Sequence, residues 1–317
     1  MSQVHDFSRS NQIFPVVYDV LWTMYKTMQK LHWVAEEIQF TAQDSTDFAS
    51  LTPGERHYLE SVLSFFAGFD NIVLANIDAN FSSEVGIPEA RLFYAAQEAN
   101  EAVHAETYAV LIDTLVKDPA RKAELFKGLS QPQVEGKRLF AEEYLNTKRS
   151  FGERLVASIV IEAVLFSSSF CGIFWLRKRN LCPAVTLAND FISRDEGLHV
   201  DFGCALLSLL SSDERPSDVR IREIVRAGVD VEEDFLDRSL PINLVGINAD
   251  LAKTYVRFVA DRLLEQMGLA PEFKASNPFP WMQAQGMASK SNFFEKRESQ
   301  YSHVTAASNK ISLEDDF

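Results

Sequence analysis

Apolar residues recur every three to four positions along most of the chain, which is the spacing of amphipathic helices. Segments rich in helix-breaking residues, at 82–88 and 117–132, interrupt this pattern. No alternating strand pattern of useful length occurs, so the sequence predicts an all-α fold. The predicted helices cover residues 16–38, 52–81, 89–116, 155–176, 184–210, 217–239 and 248–267.

Two of these helices have clear start signals. Thr52, Pro53 and Glu55 predict a capping box with proline at the first helical position. Ser150 and Glu153 predict a second capping box ahead of the long apolar helix that follows. We therefore expect side-chain caps at both helix starts.

Residues 155–176 are long and apolar enough to cross a membrane, and they contain a single charge, Glu162. The segment is either a membrane helix with an embedded acid or the central helix of a bundle. We find no second segment of this kind, and its neighbours are amphipathic, which favours the bundle and no membrane. A buried Glu162 then needs a compensating charge.

Composition narrows the classes of partner. The formal net charge of −14, from 31 Lys and Arg against 45 Asp and Glu, argues against nucleic acid and anionic membranes. Three cysteines without metal-site or redox spacing favour a reduced, cytoplasmic location. The sequence has no signal-peptide pattern at its start.

The chain divides into a helical domain over residues 1–288 and a polar, flexible tail over residues 289–317. The tail closes on Ile311, Leu313 and Phe317. These apolar side chains suit a docking peptide for another protein, and a solvated chain end accounts for them equally well on spacing alone.

Two of the six histidines follow a glutamate by three residues within predicted helices, as Glu101 with His104 and Glu196 with His199. Residues three apart share one face of a helix. Each pair is also preceded by a lone acid in an apolar helical stretch. That acid is Asp70 in the first half of the chain and Glu162 in the second.

Helix geometry allows the first set to meet, because the helical rise places Asp70 and Glu101 within roughly 3 Å of level in an antiparallel pair. The offset between Glu162 and Glu196 is larger, about one to two turns.

Four buried carboxylates and two imidazoles need cations, and two metal ions would supply them. This arrangement matches that of the di-iron and di-manganese sites of ferritin-like bundles, except that one of the lone acids is Asp70. Ligands without thiolate favour iron or manganese over zinc.

Tyr108 lies one turn beyond His104 on the same helical face. A phenol beside an oxidising metal pair can itself be oxidised, whereas spacing alone favours an ordinary core tyrosine.

At these residues the sequence resembles the small, radical-generating subunit of class I ribonucleotide reductase, over nearly the whole chain. The segments that carry the resemblance are residues 14–18, 32–37, 88–94, 193–199, 277–279 and 292–297.

The resemblance implies a ferritin-like helical bundle that forms a homodimer and holds two iron ions per chain, with manganese as the alternative metal. Dioxygen would then convert Tyr108 into a stable tyrosyl radical. The implied ligands are Asp70, Glu101 and His104 for one ion and Glu162, Glu196 and His199 for the other. The implied apolar shell of the radical is Phe166, Phe170 and Ile192.

The resemblance further implies that the radical passes to a large catalytic subunit, which reduces ribonucleotides to deoxyribonucleotides. The implied path uses Trp33, Asp195 and Tyr301. The peptide from Ile311 to Phe317 would dock on the large subunit.

The run at residues 69–76 departs from the family pattern around Asp70, although the ligand is retained. Two other functions are weighed against this one. They are a non-catalytic regulatory subunit of the same complex and a free-standing di-iron oxidase.

Overall fold

The computed structural model describes residues 3–9, 11–240 and 247–282. Within these ranges it contains eleven α-helices and no β-strand, as the sequence predicts. The tail at residues 289–317 lies outside the described residues. The helices are α1 Asp19–Lys30, α2 Ala42–Ser50, α3 Pro53–Asn76, α4 Pro88–Leu115, α5 Pro119–Leu125, α6 Glu135–Tyr144, α7 Phe151–Val160, α8 Ser167–Lys178, α9 Pro183–Ser208, α10 Asp218–Ser239 and α11 Ala249–Gln266.

Two helical runs contain a π turn. One, Ile77–Phe81, extends α3, and the other, Ile161–Leu165, joins α7 to α8. A π turn adds a residue to the helical repeat and changes the direction of the side chains after it. The remaining short elements are 3₁₀ turns at Gln3–His5, Phe7–Arg9, Ala35–Glu37 and Gly128–Ser130.

The structure differs from the sequence prediction in its short helices. The segment predicted as one helix over 16–38 ends at Lys30, and α2, α5 and α6 were not predicted. In α5 the error has a clear cause, because Pro119 occupies the first helical position and the Asp118 side chain caps Ala120 and Arg121. Proline there starts a helix instead of breaking one.

The predicted cap of α3 is confirmed. Thr52 accepts a hydrogen bond from the Glu55 amide at 3.3 Å, and the Glu55 carboxylate accepts one from the Thr52 amide at 2.8 Å. The second cap is only half present. Ser150 accepts from the Glu153 amide at 3.2 Å, while the Glu153 carboxylate accepts from Arg220 at 2.5 Å instead.

The apolar run at 155–176 forms the centre of the bundle. By length and composition two helical runs could cross a membrane, Phe151–Lys178 and Pro53–Phe81, so the expectation of one such segment was wrong. The most apolar window of Phe151–Lys178 is fully buried by the other helices, as expected for a core helix. Close packing helps here, since a Cβ on Gly228 of α10 would lie 2.4 Å from Val160.

Candidate metal centre

Four helical runs deliver the predicted ligands to one buried place. Asp70 comes from α3, Glu101 and His104 from α4, Glu162 from the π turn, and Glu196 and His199 from α9. All six side chains are at most 3% exposed. Burial of this kind makes each uncompensated charge costly.

Glu101 and Glu196 lie between the two histidines. The two oxygens of Glu101 are 3.4 Å from Nδ1 of His104 and 3.1 Å from Nδ1 of His199. The two oxygens of Glu196 are 3.0 Å and 3.3 Å from the same two nitrogens. Each carboxylate therefore reaches both imidazoles, so each would be placed to hold a metal ion together with either histidine.

Glu162 belongs to the His199 side. One ligand atom from each of Glu101, Glu162, Glu196 and His199 lies within 4.8 Å of the others. Asp70 and His104 lie outside that group of four. The site thus has one compact half, around His199, and a second half completed by Asp70 and His104.

The donor set fits metal ions. Several of its buried polar atoms have no hydrogen-bond partner, although the opposing nitrogens and oxygens lie close together. A buried polar atom without a partner is costly, and a cation would satisfy these atoms at once. Oxygen and imidazole donors without thiolate suit iron or manganese. The atoms without a partner are Asp70 Oδ2, both oxygens of Glu101, Glu196 Oε1 and His104 Nδ1.

The titration of the cluster shows how it balances charge without metal. Burial raises the pKa of Asp70 and of Glu162 well above the ordinary carboxyl range, with neighbouring carboxylates adding to the effect. Burial lowers the pKa of His199, but the charge of Glu196 and contacts with Glu101 outweigh it and raise that pKa to about 10.

His104 follows the same pattern, and its pKa rises well above the ordinary value because Asp195, Glu101 and Glu196 outweigh burial. Burial raises the pKa of Glu101, yet the two histidines bring it down to about 2. Protons on the imidazoles therefore occupy the place that metal charge would take.

Both imidazoles are oriented from behind, each by a residue of the opposite motif. Asp195 Oδ2 lies 3.4 Å from Nε2 of His104, and Asn100 Oδ1 lies 3.1 Å from Nε2 of His199. Asn100 also donates to Asp195 at 3.0 Å. The contacts leave both Nδ1 atoms facing the carboxylates, where a metal would bind them.

Sequence analysis did not single out Asn100. A signal was present, because Asn100 directly precedes Glu101 as Asp195 precedes Glu196. Gln97, which donates to Glu162 at 3.0 Å, was also missed.

Trp33 is joined to the cluster through Asp195. Its indole Nε1 donates to Asp195 Oδ2 at 2.7 Å, and its ring stacks 6.1 Å from the ring of His104. Trp33 is 2% exposed. Tyr301 and the peptide from Ile311 to Phe317 lie outside the described residues.

Tyr108 is enclosed by aromatic rings. It is 1% exposed, and its hydroxyl is buried without a hydrogen-bond partner. Burial raises the pKa of Tyr108 well above its usual value, and Asp70 contributes most among the neighbouring charges. Its ring stacks on Phe66 at 4.5 Å, and Phe66 in turn contacts Phe166 and Phe170.

Phe66 was missed by sequence analysis, although it lies one turn before Asp70 on α3. Ile192, the third residue of the expected shell, is buried on α9. The three cysteines, Cys171, Cys182 and Cys204, are all buried.

The amino-acid sequence is similar to those of ribonucleotide reductase small chains. A family model described as "Ribonucleotide reductase, small chain" matches residues 10–278. The chain is 42% identical over 314 residues to the ribonucleoside-diphosphate reductase small chain of Nicotiana tabacum, covering 96% of this chain and 94% of that protein. It is 44% identical over 290 residues to the corresponding protein of Plasmodium falciparum, covering 91% and 82%.

Solved structures agree on the fold. The ribonucleotide reductase Rnr4 homodimer from Saccharomyces cerevisiae superposes with a TM-score of 0.78 at 31% identity, covering 84% of this chain and 85% of that one. The dimanganese(II)-NrdF structure from Streptococcus sanguinis has a TM-score of 0.71 at 22% identity, covering 84% and 93%. These likenesses confirm the expected ferritin-like bundle.

Proposed function

The chain belongs to the family of ribonucleotide reductase small chains, and we propose that it generates and stores the radical that this enzyme uses. As the small subunit of an oxidoreductase, it works with a large subunit. We propose that the complex reduces ribonucleoside diphosphates to deoxyribonucleotides, the activity that the names of its relatives describe. The observation that carries the proposal is the pair of carboxylates placed between two imidazoles beside a buried tyrosine.

We propose that this centre holds two iron ions per chain, with manganese as the alternative. Glu101 and Glu196 would bridge the ions, since each has one oxygen beside each histidine. Asp70 and His104 would complete one site, and Glu162 and His199 the other. Together with dioxygen, such a metal pair supplies the oxidising power needed to remove one electron and one proton from a phenol.

Tyr108 is the proposed radical site. Its hydroxyl makes no hydrogen bond that would have to break when its proton leaves. Phe66, Phe166 and Phe170 keep water and reductants from the ring, which lengthens the life of a radical there.

Trp33, Asp195 and Tyr301 are the proposed route towards the large subunit. Asp195 is suited to this role because its Oδ2 accepts from Trp33 and lies beside His104, so one carboxylate connects the indole to the metal site. Tyr301 would continue the route within the tail.

We propose that the peptide from Ile311 to Phe317 docks on the large subunit and that two copies of this chain form a homodimer. We also propose a cytoplasmic location, which the three cysteines favour because their spacing is that of neither a metal site nor a redox motif.

The other two functions are not favoured. A non-catalytic regulatory subunit would have no need of a complete ligand set, and here all six ligands and Tyr108 are present and buried. A free-standing oxidase does not account for similarity to reductase small chains along nearly the whole sequence.

Electron paramagnetic resonance tests the proposal. Metal-free protein is loaded with ferrous iron without oxygen, exposed to dioxygen and measured, together with its Tyr108→Phe variant. Tyr94→Phe is the matched control, because Tyr94 is a buried α4 tyrosine whose hydroxyl also has no partner. We expect a tyrosyl signal in the wild type and in Tyr94→Phe only. No signal in the wild type, or a signal that survives in Tyr108→Phe, refutes the proposal.

A further inference from the structure

A buried ion pair outside the metal site joins α6 to α10. Nζ of Lys137 lies 2.7 Å from the carboxylate of Glu232, and both side chains are fully buried. None of the steps proposed above uses these residues. A buried pair of charges is costly to desolvate, so the pair itself adds little stability. Its contacts with neighbouring residues indicate what role it has.

The pair holds the junction between the π turn and α8. Lys137 donates to the backbone carbonyl of Leu165, the last residue of the turn, at 2.5 Å. Glu232 accepts from the hydroxyl of Ser168, near the start of α8. Ser167 donates to the carbonyl of Val164 at 2.7 Å. The last two carbonyls of the π turn are therefore both bonded to side chains.

These contacts matter because a helix changes its hydrogen-bond register where a π turn meets an α-helix. At such a junction two backbone N–H groups compete for one carbonyl oxygen. An ammonium group bonded to that oxygen favours one of the two hydrogen-bond registers. The surroundings keep the ammonium fixed, since it lies 3.7 Å and 3.8 Å from the ring centres of Phe65 and Phe235.

Apolar residues of similar volume can fill a buried site of this kind at equal or lower cost in stability. They cannot bond the Leu165 carbonyl. The specific contribution of the pair is thus the hydrogen bond from Lys137 to the Leu165 carbonyl. This bond acts on the π turn that carries Glu162, which lies three residues before Leu165.

We propose that Lys137 and Glu232 are positioning residues that hold the π turn and thereby place the Glu162 carboxylate in its metal-binding position. Resting on the proposed function, this inference assigns to the half of the centre around His199 a support that comes from α6 and α10, which carry none of the six proposed ligands. It predicts that losing the pair weakens one metal ion and leaves the other in place.

The test uses a double variant, Lys137→Met with Glu232→Leu, since either change alone leaves a buried charge without its partner. Arg154→Met is the matched control. Arg154 is also buried and donates at 3.2 Å to the carbonyl of Asn80, in the π turn that carries none of the six ligands. Circular dichroism confirms that each protein is folded before metal is added.

Two readouts are combined. Binding of Mn²⁺ to metal-free protein is followed through the resonance signal of the free ion, and amide hydrogen exchange is measured over residues 161–168 without metal. We expect two tight Mn²⁺ ions per chain in the wild type and in Arg154→Met. In the double variant we expect one tight ion, a second bound at least about tenfold more weakly, and exchange at least about tenfold faster over 161–168.

Wild-type binding of both ions in the double variant overturns the inference. Weaker binding with unchanged exchange overturns it too, because the turn would then be intact. A wild-type protein that binds fewer than two ions refutes the proposed metal centre itself, and the inference with it.

Discussion

Replacing Asn100 with leucine tests whether the residues behind the histidines set metal affinity. Leucine has a similar size, so the change removes two hydrogen bonds and little volume. Nε2 of His199 loses its acceptor at 3.1 Å, and Asp195 loses a donor at 3.0 Å. Both groups are buried, so bulk solvent does not reach them to replace the amide.

The magnitude follows from the charges involved. A hydrogen bond to a charged group contributes about 1.5–3 kcal/mol. Loss of a residue that orients a metal-binding histidine typically costs about 10- to 100-fold in affinity, which is about 1.4–2.7 kcal/mol. The two ranges agree, so we expect the Asn100→Leu protein to bind one Mn²⁺ about 10- to 100-fold more weakly.

Competition titration with a chelator of known affinity measures this change. The matched control is Asn189→Leu, because Asn189 is a buried asparagine of α9 that bonds the Phe170 carbonyl and no ligand. Affinity in Asn100→Leu within about twofold of wild type, a change too small for either estimate above, would refute the role of the crossed contacts.

Three further predictions concern the same centre. Metal binding at pH 7.5 should release at least about two protons per chain and should weaken as the pH falls. The reason is that His104 and His199 have raised pKa values and must lose their protons to bind a metal. Calorimetry in buffers of different ionisation enthalpy measures the number of protons released, and a value of zero would contradict the prediction. Phe66→Ala should destabilise the fold by about 3–5 kcal/mol, measured by denaturant unfolding. It should also shorten the life of the Tyr108 radical, measured by the decay of the resonance signal. An unchanged decay rate would argue against shielding of the radical by the Phe66 ring. Trp33→Phe should keep the tyrosyl signal and abolish turnover with the large subunit; turnover near the wild-type rate would remove Trp33 from the route.

Most of the proposed ligand set was predictable because helix geometry is local. A glutamate and a histidine three residues apart must share a face, and a lone acid within an apolar helix needs a partner charge. Asp70, Glu101 and His104 follow from these rules, as do Glu196 and His199, which the structure brings to the same place.

The position of Glu162 was not predictable to the same degree. Counting residues along a regular helix left it about one to two turns from Glu196. The structure brings the two within the group of four, and it places Glu162 in a π turn, where a count along a regular helix does not hold. Nothing in the apolar run at 155–176 signals that turn.

Contacts between side chains on different helices could not be predicted from the sequence for a different reason. The contacts of Phe66 with Tyr108 and of Lys137 with Leu165 join distant parts of the chain. Such contacts depend on how helices pack, and one sequence without packing information does not specify them. Asn100 is the exception, since its place before Glu101 repeats that of Asp195 before Glu196.

Anomalous diffraction from crystals soaked anaerobically in ferrous iron shows directly whether the centre holds two ions. We expect two iron peaks per chain, one bound by Asp70 and His104 and one by Glu162 and His199. Glu101 and Glu196 should contact both peaks. A single peak within the group of four, with Asp70 and His104 unbound, would contradict the proposed centre.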